Sequence, residues 1–352
     1  MKTRPVTLSL TLLLASLIVA TSLAPLPVVH AAETVAVTVT ETPLNPPGRC
    51  TDRFVAHELD HTTRTADGVV RMYEANGSGL AVADLNNDGR LDLVLGNHAG
   101  PNTILWNETS TGGPLRFRKE EHGSGRARAI TAVDVDGDGW RDLVITLNTG
   151  AINYWRNNGD GKFVLEVLPG VAYPAYAITW GDVDLDGDLD LVTASYDAGH
   201  LTDVGNNFLL SGGGGVVVYE NKGSLFLPTK LDNAAQGLGL LAADLNDDGR
   251  PDIWVGNDFH MPDRLWLNRA ADNDSRPIWI PVQPFAQMSN STMGVDWGDI
   301  SNNGSLALFT TDMNPYDISV QNLAAWLPVM ATLEETNAPG DPQRTANMLQ
   351  LR

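Results

Sequence analysis

Five segments of the chain space oxygen-bearing side chains in one pattern. Asp84, Asn86, Asp88 and Asp92 stand at positions 1, 3, 5 and 9 of a nine-residue loop with Gly89 at position 6. Asp134, Asp136, Asp138 and Asp142 repeat the spacing around Gly139, and Asp182, Asp184, Asp186 and Asp190 around Gly187. Asp244, Asn246, Asp248 and Asp252 repeat it around Gly249. A fifth copy starts at Asp299 but carries Ser301, Asn303 and Ala307 at the later positions. Acids this close repel: two unit charges ~4 Å apart near a protein surface cost about 4 kcal/mol. Alternate positions of a tight loop face one point, and with the carbonyl at position 7 they gather an oxygen cage suited to calcium. Magnesium keeps its waters, and zinc wants His or Cys, which the loops lack. The expectation is about four calcium sites, with the fifth loop too poor in acid to count on. A helical calcium loop of the EF-hand type ends on an acid at position 12 between helices. Here the last acid falls at position 9.

The flanks show what must hold these loops. Before each comes a short apolar run: GLAVAD, AITAVD, AITWGD, GLLAAD and GVDWGD. After each comes another (LDLVLGN, RDLVITL, LDLVTAS, PDIWVGN, LALFTTD), and four copies show a third (TILWNE, NYWRNN, VVVYEN, RLWLNR). A fourth run is legible in two copies, NGDGKFVLEV and NKGSLFLPT. Short β-branched and aromatic runs between Gly and Asn turns read as strands. Four strands per repeat, recurring at roughly 50 residues, are the blades of an all-β propeller. At least five blades occupy residues 53–313. The third is lengthened by an insertion, Asp197 to Gly215, between its second and third strands. Residues 314–352 read as a partly helical tail, with a helix over VQNLAAWLPVMATLEE and no strand to pair with the last blade. This tail is expected to begin an incomplete further blade.

Residues 1–31 read as a secretory signal: Lys2 and Arg4, an apolar run, then Val29-His30-Ala31 before a cleavage point, with an uncleaved membrane anchor as the alternative because the apolar run is long for a signal. Residues 32–52 read as a linker. Cys50 is the only cysteine, so no internal disulfide is possible, and an exported chain of 352 residues needs another stabiliser, for which bound metal is a candidate. A formal net charge of −20 argues against nucleic acid and anionic membranes as partners. No membrane span is expected after signal cleavage.

The repeats resemble the FG-GAP/VCBS type, whose blades form the seven-bladed integrin-alpha-like propeller. More closely, the chain resembles the cartilage acidic protein (ASPIC/UnbV) family in FVAHELDHTTRTADGVVRMYEANGSGLAVADLNNDGRLDLVLGN (54–97), MGVDWGDISNNGSLALFTTDMNPY (293–316) and DPQRTANMLQLR (341–352). The resemblance implies calcium at the four acid loops. It also implies further blades and a C-terminal domain beyond Arg352, so the chain reads as C-terminally truncated.

Other motifs are weaker. His57-Glu58-Leu-Asp-His61 spells the HExxH of zinc proteases, but the threonines and the Asp67-Gly68 turn that follow are not a continuing helix, and residues 54–59 alternate like an edge strand. Arg126, Arg128, His122 and His200 lie near strand ends where they could surround a polysaccharide-processing site, the alternative being scattered surface residues. Trp106, Trp155, Trp254 and Trp266 are expected to fill the core between blades. Asn76, Asn107 and Asn290 head glycosylation sequons. The sequence reads best as a secreted, non-catalytic binding or adhesion scaffold for an extracellular protein or glycan. The alternatives are a polysaccharide-acting propeller enzyme and a structural array within a larger secreted protein.

Overall fold

The computed structural model describes residues 56–71, 74, 77–159, 161–197, 201, 211–259, 261–270, 276–313, 319, 343–344 and 346–351. The chain divides into two compact units, Met1–Glu58 and Leu59–Arg352, and every described strand lies in the second. The signal and linker segments, Cys50, His200, the sequon asparagine Asn76 and the expected tail helix lie outside the described residues.

The described residues form 21 strands, and four consecutive repeats are four-stranded antiparallel sheets. The first holds β1 (Leu80–Ala83), β2 (Asp92–Leu95), β3 (Asn102–Asn107) and β4 (Phe117–His122) in that order. The second holds β5 (Ala127–Val133), β6 (Asp142–Leu147), β7 (Ile152–Asn157) and β8 (Phe163–Glu166). β9 (Ala177–Gly181), β10 (Asp190–Ala194), β11 (Val216–Asn221) and β12 (Phe226–Asp232) make the third. β13 (Gly237–Ala243), β14 (Asp252–Asn257), β15 (Arg264–Ala270) and β16 (Pro277–Val282) make the fourth.

The fifth repeat corrects the expected tail. After the short β17 (Met288–Ser289) come β18 (Thr292–Gly298) and β19 (Ala307–Asp312), and the third strand of their sheet is β21 (Met348–Leu351). Just before it, β20 (Gln343–Arg344) pairs in parallel with β17. The last described residues therefore complete the fifth blade's third position, for which no pairing strand is legible in the sequence.

The second and third strands of a blade are buried on both faces, which is why they read as unbroken apolar runs. In β10, Leu191 packs toward the second blade while Val192 and Ala194 pack toward the fourth. In β14, Ile253 and Val255 face the third blade and Trp254 faces the fifth. Trp106, Trp254 and Trp266 are buried in these inter-blade layers and Trp155 packs against one, as expected. Leu80, Ile130, Ile178, Leu240 and Val295, one from the first strand of each blade, line a single cavity of about 370 Å³. All five first strands thus surround one axis, the arrangement of propeller blades.

Residues 56–65 form neither strand nor helix. His61 bonds Thr103 Oγ1 at 2.9 Å and the Gly96 carbonyl at 3.0 Å, so it ties this segment to the first blade. Over its described residues, 56–59, the expected edge strand is absent, and His61 is engaged in packing rather than presented as a ligand.

Candidate metal loops

Antiparallel pairing puts every first-to-second and third-to-fourth connection at one end of the blades, and the other connections at the opposite end. All five acid loops join first to second strands, so they share one end. Their backbones agree. Position 6 is left-handed in each, with φ of 81° at Gly89, 88° at Gly139, 96° at Gly187, 84° at Gly249 and 84° at Gly304. Glycine alone takes that conformation without strain. Position 4 is left-handed as well, at Asn87, Gly137, Leu185, Asp247 and Asn302.

The carboxylates hold this turn in place. The first aspartate accepts from the backbone N–H groups of positions 5 and 6: Asp134 takes Asp138 at 3.1 Å and Gly139 at 2.8 Å. Asp84, Asp182, Asp244 and Asp299 do the same in their loops. The position-5 aspartate accepts the N–H two residues on, as in Asp88, Asp138, Asp186 and Asp248. The position-5 aspartates and Asp136 are exposed, whereas at position 3 Asp184 is buried and the Asn246 amide donates to the buried Asp252 carboxylate at 2.9 and 3.2 Å. Among the described residues two groups of acids bring one oxygen each within 4.8 Å of one another: Asp134, Asp136 and Asp138, and Asp182, Asp184 and Asp190. Asn86 and Asn246 replace one acid in the first and fourth loops, leaving the same spacing with a neutral oxygen. These all-oxygen sets fit a hard divalent cation.

The position-9 aspartates do more than the spacing suggested. Asp92, Asp142, Asp190 and Asp252 are fully buried. One oxygen accepts the position-2 N–H (Leu85, Val135, Val183, Leu245), at 2.7–3.1 Å. The other accepts the N–H of the asparagine ending the third strand or close to its end (Asn107, Asn157, Asn221, Asn268), at 2.7–2.8 Å. Burial pushes Asp142 and Asp252 up to about 6 and Asp190 to about 7, and raises Asp92, against the opposing pull of these backbone donors. In the fifth loop Ala307 cannot make these bonds, and Ile300 at position 2 is 59% exposed where Leu85 and Val183 are buried.

Those asparagines were missed in the sequence, although each third-strand run carries one near its end. The Asn157 amide donates to Leu85 O at 2.8 Å, Asn221 to Val135 O at 3.3 Å and Asn268 to Val183 O at 2.7 Å. Each reaches the acid loop of the preceding blade, so the loops are stapled into a row. Asn157→Ala strips the Leu85 and Arg141 carbonyls of a buried donor and is expected to cost about 1–3 kcal/mol. Urea unfolding checks it, and an unchanged midpoint would rule out the staple.

Basic side chains attend four loops: Arg90 at Asp88, Arg156 at Asp136 and Asp138 (3.5 and 3.8 Å), Lys222 at Asp184 and Asp186, and Arg269 at Asp248. A metal ion on the third loop must displace the Lys222 ammonium. The basic set suspected of surrounding a polysaccharide site does not converge. His122 packs edge-on against Trp155 and Phe163, Arg128 stacks over Tyr176, and Arg126 stands apart at a loop. Asn290 is 1% exposed and the Asn107 amide donates to Leu91 O, so neither sequon asparagine presents a free amide in this fold.

The fold and loops define a class, a β-propeller of acid-loop blades, and comparison with known proteins agrees. The model of the FG-GAP-like repeat matches residues 84–145 and 134–193, the first three loops. Residues 84–193 thus carry FG-GAP-like repeats. Its similar curated relatives are named cartilage acidic protein 1. That of Mus musculus is 26% identical over 56% of this chain and 42% of its own, and that of Homo sapiens 25% over 66% and 46%. That of Xenopus tropicalis is 32% identical over 36% and 22%. The chain spans less than half the length of these relatives. Among solved structures, the V. cholerae biofilm matrix protein Bap1 matches at 20% identity and a TM-score of 0.34, over 69% of this chain and 36% of that one.

Proposed function

We propose that this chain is an exported, calcium-stabilised propeller that serves as a non-catalytic extracellular binding or adhesion scaffold. The observation that carries the reading is the repetition of one acid loop, with one backbone and one set of donors, at the same end of consecutive blades. Asp134, Asp136 and Asp138 would hold one ion, and Asp182, Asp184 and Asp190 another. The first and fourth loops would use Asp84, Asn86 and Asp88, and Asp244, Asn246 and Asp248, with Asp92 and Asp252 behind them. When bound, the ion supplies positive charge that cancels repulsion among the acids. The chain's own part is to fix the loop ends by the buried aspartates and the asparagine staples. A rigid frame with long connections at its other end suits recognition. Export is read from residues 1–31, and among the described residues no helix is long and apolar enough to cross a membrane.

Calorimetric titration of chelator-stripped protein tests the metal reading. About four equivalents of calcium are expected to bind, in the ~10⁻⁴–10⁻³ M range usual for extracellular modules, with magnesium weaker. Fewer sites after Asp134→Ala, and the same number after Asp299→Ala, would assign the loops. Failure of calcium to bind would remove the reading.

A further inference from the structure

The layers between blades are closed by rings at two repeating places. On the third strand, Trp155 pairs with Leu143, Tyr219 with Leu191 and Trp266 with Ile253, each across from the residue that follows the position-9 aspartate. On the fourth strand, Phe163, Phe226 and Trp279 stand opposite the staple asparagines Asn157, Asn221 and Asn268. Trp155 and Phe163 pack between the first and second blades, Tyr219 and Phe226 between the second and third, and Trp266 and Trp279 between the third and fourth.

The fifth blade breaks both places. Gln350 pairs with Leu308, the residue that follows Ala307, and so takes the position of Trp155, Tyr219 and Trp266. Its amide donates to Gln287 O at 2.7 Å. Among the described residues this sheet has three strands, and none supplies the second ring. The layer between the fourth and fifth blades is underfilled as a result. Leu245 is half-buried, whereas Leu85, Val135 and Val183 at the same loop position are buried.

The space left over is a cavity of about 340 Å³, with Leu245, Leu265, Phe285, Trp297, Leu308 and Gln350 on its wall. That is at the lower end of the ~300–1,000 Å³ usual for small-molecule sites. Phe285 and Trp297 give the wall two aromatic side chains, and ring pairs gain more than their buried area alone. None of the described wall residues is charged. The fourth acid loop contributes Leu245 and Asn246 to the wall, and its aspartates disfavour an anion there.

We infer that this cavity binds a small uncharged aromatic molecule of the indole class, whose ring takes the place that Trp155, Tyr219 and Trp266 fill in the other blades. The inference goes beyond the reading of the chain as a metal-stabilised scaffold, and metal at the acid loops is not part of it.

The test is calorimetric titration of indole, indole-3-acetate and cyclohexanol, each separately, into the full chain in calcium at pH 7. Indole is expected to saturate. Indole-3-acetate should bind about tenfold or more weaker, because its carboxylate finds no cation on the wall and acids beside it. Cyclohexanol should bind about fivefold weaker, since it forgoes the ring pairing. Gln350→Trp refills the cavity as the second and fourth blades do. It is expected to lower indole affinity about tenfold or more, with an unfolding midpoint no lower than the parent's. Phe285→Ala removes one ring from the wall and should weaken indole about fivefold, which gives an answer even where the Gln350 variant does not fold. Absence of saturation, equal binding of the three probes, or undiminished indole binding in either folded variant would overturn the site.

Discussion

Asp142→Ala is expected to cost the second unit about 3–5 kcal/mol, even with chelator present, because it removes a buried charge acceptor from several donors at once. The carboxylate is fully buried and accepts the Val135 N–H at 3.1 Å, the Asn157 N–H at 2.7 Å and the Tyr154 hydroxyl at 3.1 Å. Alanine leaves those donors in a dry site with nothing to replace them. Asp136→Ala is the control. Asp136 is exposed and accepts one long backbone bond, at 3.3 Å, so its loss should cost less than about 1 kcal/mol without calcium. Urea unfolding in chelator separates the two, and equal midpoints for both variants would contradict the role given to the position-9 aspartates.

Without metal, the protein is expected to lose stability as pH rises from about 4 to 8. Burial pushes Asp142, Asp252 and Asp312 up to about 6, and Asp190, Asp258 and Asp263 to about 7. In the unfolded chain these groups titrate near the ordinary ~3.9. A carboxyl whose folded value lies above its unfolded one favours the fold while protonated. That contribution is full below about pH 4 and is lost progressively up to the shifted values near 6 and 7. Each such group sets a slope of at most about 1.4 kcal/mol per pH unit within that window. Calcium should flatten the part due to Asp142, Asp190 and Asp252, which stand beside the acid clusters. It should leave the part due to Asp258, Asp263 and Asp312, which lie at the other end of the blades. Thermal midpoints between pH 4.5 and 8, in chelator and in calcium, check this. A midpoint in chelator that rises with pH would reverse the sign and refute it.

The acid loops were legible because their chemistry is local: nine residues contain the whole device, and repetition multiplies the signal. The first three strands of most blades were legible for a related reason, since burial on both faces writes itself as apolar runs. The fourth strands of the first and fourth blades were not. FRKEEH in β4 is largely charged on an exposed outer edge, and PIWIPV in β16 carries two prolines, which an edge strand tolerates. The third strand of the fifth blade was hidden by distance. Met348–Leu351 returns to pair with β19 from far beyond that strand's end at Asp312, and no local pattern announces such a return. The double duty of the position-9 aspartates was half legible, because a conforming acid says nothing of the buried donors around it. The third-strand asparagines were visible in four runs, yet their staples cross blade boundaries and only the packed structure reveals them. The cavity between the fourth and fifth blades was not legible, because Gln350 is seen to stand in the place of Trp155, Tyr219 and Trp266 only once β21 pairs with β19.

The most direct test of calcium at the acid loops is thermal unfolding across a calcium titration, with the parent beside Asp134→Ala/Asp138→Ala. Calcium is expected to raise the parent's midpoint, and the double variant to lose part of that gain. In chelator the double variant should unfold earlier than the parent, because Asp134 and Asp138 accept backbone N–H groups of their loop, so each protein's calcium-induced shift is read against its own midpoint in chelator. A parent midpoint indifferent to calcium would contradict the metal reading, and the acid loops would then be turns held by their own backbone bonds alone.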